Sequence, residues 1–157
     1  MILLSVLGGC SEEGGKSRHI SLEAASSDST FAGVQARGHA AMGVDQYTSR
    51  HKFQPLPDGG SIALQRDTSD TAGVSRIRAH MRQIASAFRR GDFTLPGFVH
   101  AREVPGTREM RARRSAIQYT ADTVPGGAVL RLTSQDSEAV AAIHEFLAFQ
   151  RHDHRAP

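Results

Sequence analysis

The chain has 157 residues, of which 39% are hydrophobic, 22% charged and 6% aromatic, with 19 Lys and Arg against 16 Asp and Glu. This length and composition fit one globular domain and exclude a collagen-like chain, a disulfide scaffold and a wholly disordered protein. No apolar run approaches the ~20 residues that a membrane-spanning helix needs.

The amino terminus combines a short apolar stretch with two glycines and the only cysteine. Leu7-Gly8-Gly9-Cys10 resembles the lipobox of bacterial lipoproteins, in which the cysteine is lipidated after cleavage. We therefore interpret residues 1–10 as a degenerate or truncated lipoprotein signal, with Cys10 as the lipidation site. The resemblance implies an envelope protein, anchored to the membrane or periplasmic, and a cytoplasmic protein is the alternative. A short buried strand with a free thiol would also explain these residues.

Residues 11–38 are rich in Ser, Gly and Ala and contain few large apolar side chains. Such a segment buries too little surface to offset the entropy lost on ordering, so we predict a flexible tether. Periodic hydrophobic patterns begin after it. We predict a single α+β domain over residues 39–157.

The first half of the predicted domain contains a hairpin followed by a helix. Strands Arg50–Pro55 and Ser61–Arg66 flank a proline–glycine turn, which is typical of a hairpin. A helix capped by Asp70 or Thr71 then continues to about Arg90, with apolar residues at steps of three and four. Gly91 is the predicted stop of this helix.

The same pattern returns in the second half of the chain. Strands Ser115–Ala121 and Ala128–Thr133 flank another proline–glycine turn, and a helix capped by Asp136 or Ser137 runs to about Arg151. Since a lone hairpin is only marginally stable, we expect the two repeats to combine. The predicted fold is α+β: two strand–strand–helix repeats form a four-stranded antiparallel sheet with two helices on one face.

Histidine and methionine side chains form a candidate metal site. Met42 precedes the first strand, and His51 opens it. His80 and His144 lie on the flanks of the two helical stripes, and His100 follows in a loop. Nitrogen and thioether ligands together suit copper or another transition-metal ion, so these five residues are the candidate ligands. The alternative is that each histidine bonds a backbone carbonyl at the edge of the core.

Arginine is concentrated in residues 76–114, a segment that contains ten arginines and only three acidic residues. Such an excess predicts an interaction surface for an acidic protein or a lipid surface, with Arg78, Arg82 and Arg89 as candidate contacts. Few aromatic side chains are interleaved, so we do not expect nucleic acid as the partner. A solvated helix face is the alternative explanation.

Nine short segments between Met42 and Arg155 are distinctive: Met42–Gln46, His51–Phe53, Asp58–Gly60, Ile77–His80, Gly91–Phe93, Phe98–His100, Val104–Thr107, Ile143–Leu147 and Asp153–Arg155. Through them the chain resembles a group of short bacterial envelope proteins of unsettled function, which implies a shared fold and an exported, anchored address. Some members carry the label aspartate carbamoyltransferase. We discount it because such enzymes use two α/β domains of about twice this length.

Three functions follow from these observations. The first is a tethered envelope protein with a copper-like site, and the second is an interaction module without a cofactor that uses the arginine-rich face. The third is an enzyme with His80 or His100 as general base, for which no nucleophile or carboxylate partner can be paired from the sequence. The sequence assigns no catalytic residue.

Overall fold

The computed structural model describes residues 13–157, with side chains from residue 26 onwards. The predicted signal at residues 1–10, with Cys10, lies outside the described residues. The chain divides into two compact units, Met1–Thr30 and Phe31–Pro157. The elements in chain order are α1 (Glu13–Met42), β1 (Arg50–Leu56), β2 (Gly59–Gln65), α2 (Thr71–Arg89), α3 (Thr94–His100), α4 (Thr107–Ala112), β3 (Ile117–Val124), β4 (Gly127–Ser134) and α5 (Ser137–Asp153).

The four strands form one antiparallel sheet in the order β1-β2-β4-β3, so the two hairpins meet through their inner strands. Phe53 lies opposite Ile62, and Ile62 lies opposite Leu130. Because opposed residues of antiparallel strands point to the same face, these side chains share one face of the sheet. That face packs against α2 and α5 in a single core that buries Leu64 and Leu132. The predicted α+β fold is confirmed.

The two long helices begin and pack as the sequence predicts. Asp70 caps α2 by accepting a 2.9 Å hydrogen bond from the Gly73 amide, and the carboxylate of Asp136 accepts bonds from the first amides of α5. The stripe of α2 is buried from Val74 to Phe88. Beyond α2, Gly91 has a φ of +74°, which a residue without a Cβ adopts freely.

The connection between the two repeats differs from the predicted loop. It contains α3 and α4, which bury Pro96, Thr107 and Met110 against the core. Helices of six or seven residues span fewer than two full turns, so they show no apolar period that sequence analysis could detect.

The end of α1 also differs from the sequence expectation. The sequence predicts a tether over residues 11–38, whereas α1 covers Glu13–Met42 and the second compact unit begins at Phe31. In that unit Val34 is 1% exposed and Gly38 is buried. Alanine-rich sequence favours a helix. The last turns of this helix bury Val34 and Gln35, and Arg37 donates to the Val99 carbonyl at 2.7 Å. Such sparse apolar content does not distinguish a packed helix from a tether.

Candidate functional site

A mostly apolar cavity of about 90 Å³ lies inside the second compact unit. The end of α1, strands β1 and β2, and helices α2, α3 and α5 all contribute to its walls. Its apolar lining includes Phe53, Ile62, Ile84, Leu95 and Val99, and its polar lining comprises Gln46, His51, His80, His100, Gln150 and His154. Met42 also lines the cavity. Four of the five predicted ligands therefore line one cavity.

His51 lies on β1, opposite Leu64 and on the same face of the sheet as Phe53. Its ring stacks on Phe53 with centroids 5.8 Å apart, and on the ring of His154 with centroids 4.8 Å apart. His154 follows α5 directly, as its carboxyl-terminal cap. The alternation of side chains along β1 and the position of His154 at the end of α5 thus bring the two imidazoles into contact at the wall of the cavity.

His80 projects from the flank of α2 and is half-buried at the cavity. Burial lowers the pKa of His80 from 6.5 to about 4. Burial, followed by repulsion from a charge on His80, lowers the pKa of His51 to about 4. Burial also lowers the pKa of His154 to about 3, helped by repulsion from His51 and His100. These three imidazoles are therefore neutral at pH 7.

Two polar atoms at the cavity lack a hydrogen-bond partner within the part of the chain that the structure describes. They are Nδ1 of His154 and Oε1 of Gln46, and both are buried. The amide nitrogen of Gln46 donates to the Val44 carbonyl at 3.2 Å, so only its oxygen is unsatisfied. Buried polar atoms in proteins almost always have a partner, which makes these two atoms the exception at this site.

His100 lines the cavity, but both of its ring nitrogens already have partners. Nδ1 bonds the carboxylate of Asp153, and Nε2 lies 3.0 Å from the side-chain oxygen atom of Gln150. Since a carboxylate can only accept, Nδ1 carries the proton. The ring is 1% exposed and connects the end of α3 to the end of α5. Protein atoms lie within hydrogen-bond distance of both ring nitrogens, which gives His100 a positioning role.

His144 lies away from the cavity. Its Nε2 donates to the Leu56 carbonyl at 2.9 Å, which connects α5 to the turn of the first hairpin. This is the backbone contact that the alternative explanation of the histidines predicts. Sequence analysis placed His144 among the ligands because its helical flank position resembles that of His80, but only the packing decides which flank faces the cavity.

His154 is the cavity residue that sequence analysis did not select. It lies three residues beyond Arg151, where the sequence predicts that the second helix ends. The stripe in fact continues, since Ile143, Leu147, Gln150 and His154 follow one another at steps of four, three and four. This continuation of the helical spacing to His154 was the sequence signal that could have identified the residue.

The candidate partner-binding arginines have different roles in the structure. Arg78 donates to two carbonyls at the β3–β4 turn, each at 3.2 Å, and Arg89 donates to the Tyr119 carbonyl at 2.9 Å. These three bonds hold α2 to the second hairpin. Arg82 is exposed. Of the three, Arg82 therefore presents the guanidinium best placed for a partner.

A second group of arginines surrounds the carboxyl end of α2. Arg111 donates from Nε to the Gly91 carbonyl at 2.9 Å, and Arg114 lies beside the same glycine. Hydrogen bonds from the start of α3 lower the pKa of Asp92, and the charges of Arg90 and Arg111 lower it further. We call Arg90, Arg111 and Arg114 the basic cluster.

No group of three or more His, Cys, Asp or Glu residues in the described part of the chain is placed so that it could hold a metal ion. No helix of that part has the length and apolarity needed to cross a membrane. Comparison with family models, curated proteins and solved structures found no match to this chain. The resemblance to short bacterial envelope proteins therefore stays a prediction.

Proposed function

We propose that the protein binds a transition-metal ion in the cavity, through the imidazoles of His51, His80 and His154. The Met42 thioether is the fourth candidate donor. The observation that carries the proposal is the convergence of three neutral imidazoles on one small cavity, where His154 keeps an unpartnered buried nitrogen. His100 orients this site by tying α3 to the last turn of α5.

Protonation does not compete with metal at these side chains near neutral pH. A histidine binds metal only through a deprotonated nitrogen, so a proton normally has to leave first. Because burial lowers the pKa of His51 and His80 to about 4, the lone pairs are available at pH 7 without that cost. The neutral imidazole, with a free lone pair, is the form of histidine that coordinates a metal ion.

The size of the cavity favours an ion over a larger cofactor. Its volume is about 90 Å³. Typical small-molecule sites occupy about 300–1,000 Å³. The cavity is therefore smaller than the sites that usually hold larger cofactors, and its size favours a small ion.

The imidazoles must reorient to bind one ion, because no triad is arranged for it within the described residues. Side-chain rotation at a binding site commonly accompanies binding, while the backbone moves little. The ring of His51 is held by stacking alone, and no hydrogen bond fixes Nδ1 of His154. Rotation of the two rings therefore breaks the stacking contact between them. It breaks no hydrogen bond at Nδ1 of His154, because that atom has no partner among the described residues.

The same pKa values argue against acid–base catalysis by these histidines. An efficient general base has a pKa near the working pH. With pKa values of about 4 for His80 and about 3 for His154, the rings bind protons too weakly for that role at pH 7. Metal binding, in contrast, requires only the neutral form of the ring, which is the form present at pH 7.

The basic cluster supports a second candidate function, an interaction with an anionic surface. Arg111 and Arg114 lie beside Gly91, and the charges of Arg90 and Arg111 act on Asp92. The Arg90 guanidinium also donates to the Ser86 carbonyl at 3.0 Å. Such a local excess attracts acidic proteins or anionic lipids, and salt screens the attraction. Salt-sensitive binding to anionic vesicles that survives a chelator would favour this candidate over the metal site.

The envelope address belongs to the same proposal. Cys10 would anchor the chain through a lipid, and the metal-binding domain would then face the periplasm. Labelling with a radioactive fatty acid tests the anchor directly. We expect incorporation in the native chain and none in Cys10→Ser.

Calorimetric titration of the full chain with copper and zinc salts tests the metal site. We expect one ion per chain with a dissociation constant below micromolar. The variants His51→Gln and His80→Gln should each weaken binding by about tenfold or more, the loss typical of a disturbed ligand shell. His144→Gln is the matched control, since His144 bonds a carbonyl outside the cavity. Absence of binding, or an equal loss in the control, would refute the proposal.

A further inference from the structure

We infer that the cation bound in the cavity is monovalent copper rather than a divalent ion such as zinc, and that Met42 is one of its ligands. This inference rests on the proposed metal site. It goes beyond that proposal by naming the oxidation state of the ion and the sulfur donor. Four features of the cavity support it: the charge of the donors, their softness, their number and the apolar walls.

All candidate donors are neutral. No Asp or Glu is among the described residues that line the cavity, and the nearby carboxylate of Asp153 is already bonded to His100. The Born cost of moving an ion out of water grows with the square of its charge, so a divalent ion costs about four times as much as a monovalent ion of equal size. Without an anionic ligand, the cavity therefore favours a single positive charge.

The donors are also soft, and they are few. Thioether sulfur selects Cu(I), and imidazole binds copper and zinc alike. Structural zinc takes four ligands in a tetrahedron, whereas no triad is arranged for an ion within residues 26–157. Cu(I) needs only two or three donors, fewer than the four that line the cavity, which are Met42 and the imidazoles of His51, His80 and His154.

The walls of the cavity favour the reduced ion. Phe53, Ile62 and Leu95 line it, and the His51 and His154 rings stack against each other. These apolar walls offer the ion no oxygen ligands of their own. Cu(II) prefers oxygen and nitrogen ligands in a tetragonal arrangement, so a lining of apolar side chains, imidazoles and a thioether favours Cu(I).

The experiment uses the full chain under anaerobic conditions. Competition with bicinchoninate gives the affinity for Cu(I), and competition with a chromophoric zinc chelator gives the affinity for zinc. We expect Cu(I) to bind at least a hundredfold more tightly than zinc. X-ray absorption of the copper complex should show sulfur among the ligands.

The variant Met42→Leu removes the sulfur and keeps a similar volume. It should weaken Cu(I) binding at least tenfold and leave zinc binding unchanged. Met110→Leu is the matched control, because Met110 is fully buried in the core and does not line the cavity. Zinc binding as tight as Cu(I) binding, or an unchanged Cu(I) affinity in Met42→Leu, would overturn this inference while the metal site itself stands. Binding of neither ion would overturn both proposals.

Discussion

His80→Gln should make the protein less sensitive to acid. Burial lowers the pKa of His80 from 6.5 to about 4 in the folded chain. As the pH falls from 6.5 towards 4, the unfolded chain binds a proton at this position and the folded chain does not. The free energy of unfolding therefore decreases over this window and levels off below it. At pH 5 the loss attributable to one such histidine is about 2 kcal/mol.

Urea unfolding of the metal-free full chain at about pH 7.5 and about pH 5 measures this effect. Between about pH 7.5 and about pH 5, the free energy of unfolding should fall by about 2 kcal/mol more in the native chain than in His80→Gln. Any pH-independent cost of the substitution cancels in that difference. His152→Gln is the control, because His152 is exposed. A His80→Gln chain that loses as much stability as the native chain would show that burial does not hold His80 neutral.

Two further predictions concern the sheet and the arginines. A Cβ on Gly127 would lie 1.9 Å from the Leu64 carbonyl oxygen, so Gly127→Ala should lower the free energy of unfolding by about 1–3 kcal/mol, measured in urea. Gly97→Ala meets nothing closer than 3.6 Å and should unfold at almost the same urea concentration. Arg89→Met removes a bond to an edge-strand carbonyl and should lower stability by about 1 kcal/mol. Arg82→Met should leave the midpoint of thermal unfolding nearly unchanged, because Arg82 is exposed. An equal drop of the midpoint in both arginine variants would contradict the structural role given to Arg89.

The candidate site was partly predictable from sequence. Met42, His51 and His80 were selected from their positions beside or on periodic elements, and the structure brings all three to one cavity. His154 was missed although the stripe of α5 extends to it. The role of His100 could not be predicted, because its bond to Asp153 joins residues 53 positions apart. No local pattern encodes a contact between side chains that far apart.

The arginine-rich segment shows the same division between local and distant information. Its charge excess is visible in the sequence, but the partners of Arg78 and Arg89 lie between 30 and 49 residues away. Helix packing against the second hairpin turns these two guanidiniums into donors for backbone carbonyls. Composition reports the charge of a segment and not the acceptors that tertiary structure places beside it.

The sequence alone determined the two strand–strand–helix repeats, because strand alternation, proline–glycine turns, helix caps and apolar stripes are all local signals. It also determined that the repeats must combine, since neither is stable alone. Only the tertiary structure decided that β2 pairs with β4, that the end of α1 closes one wall of the cavity, and which histidines meet there. The physical reason is that burial and its effect on pKa depend on surfaces from six elements, which come together only when the chain is packed.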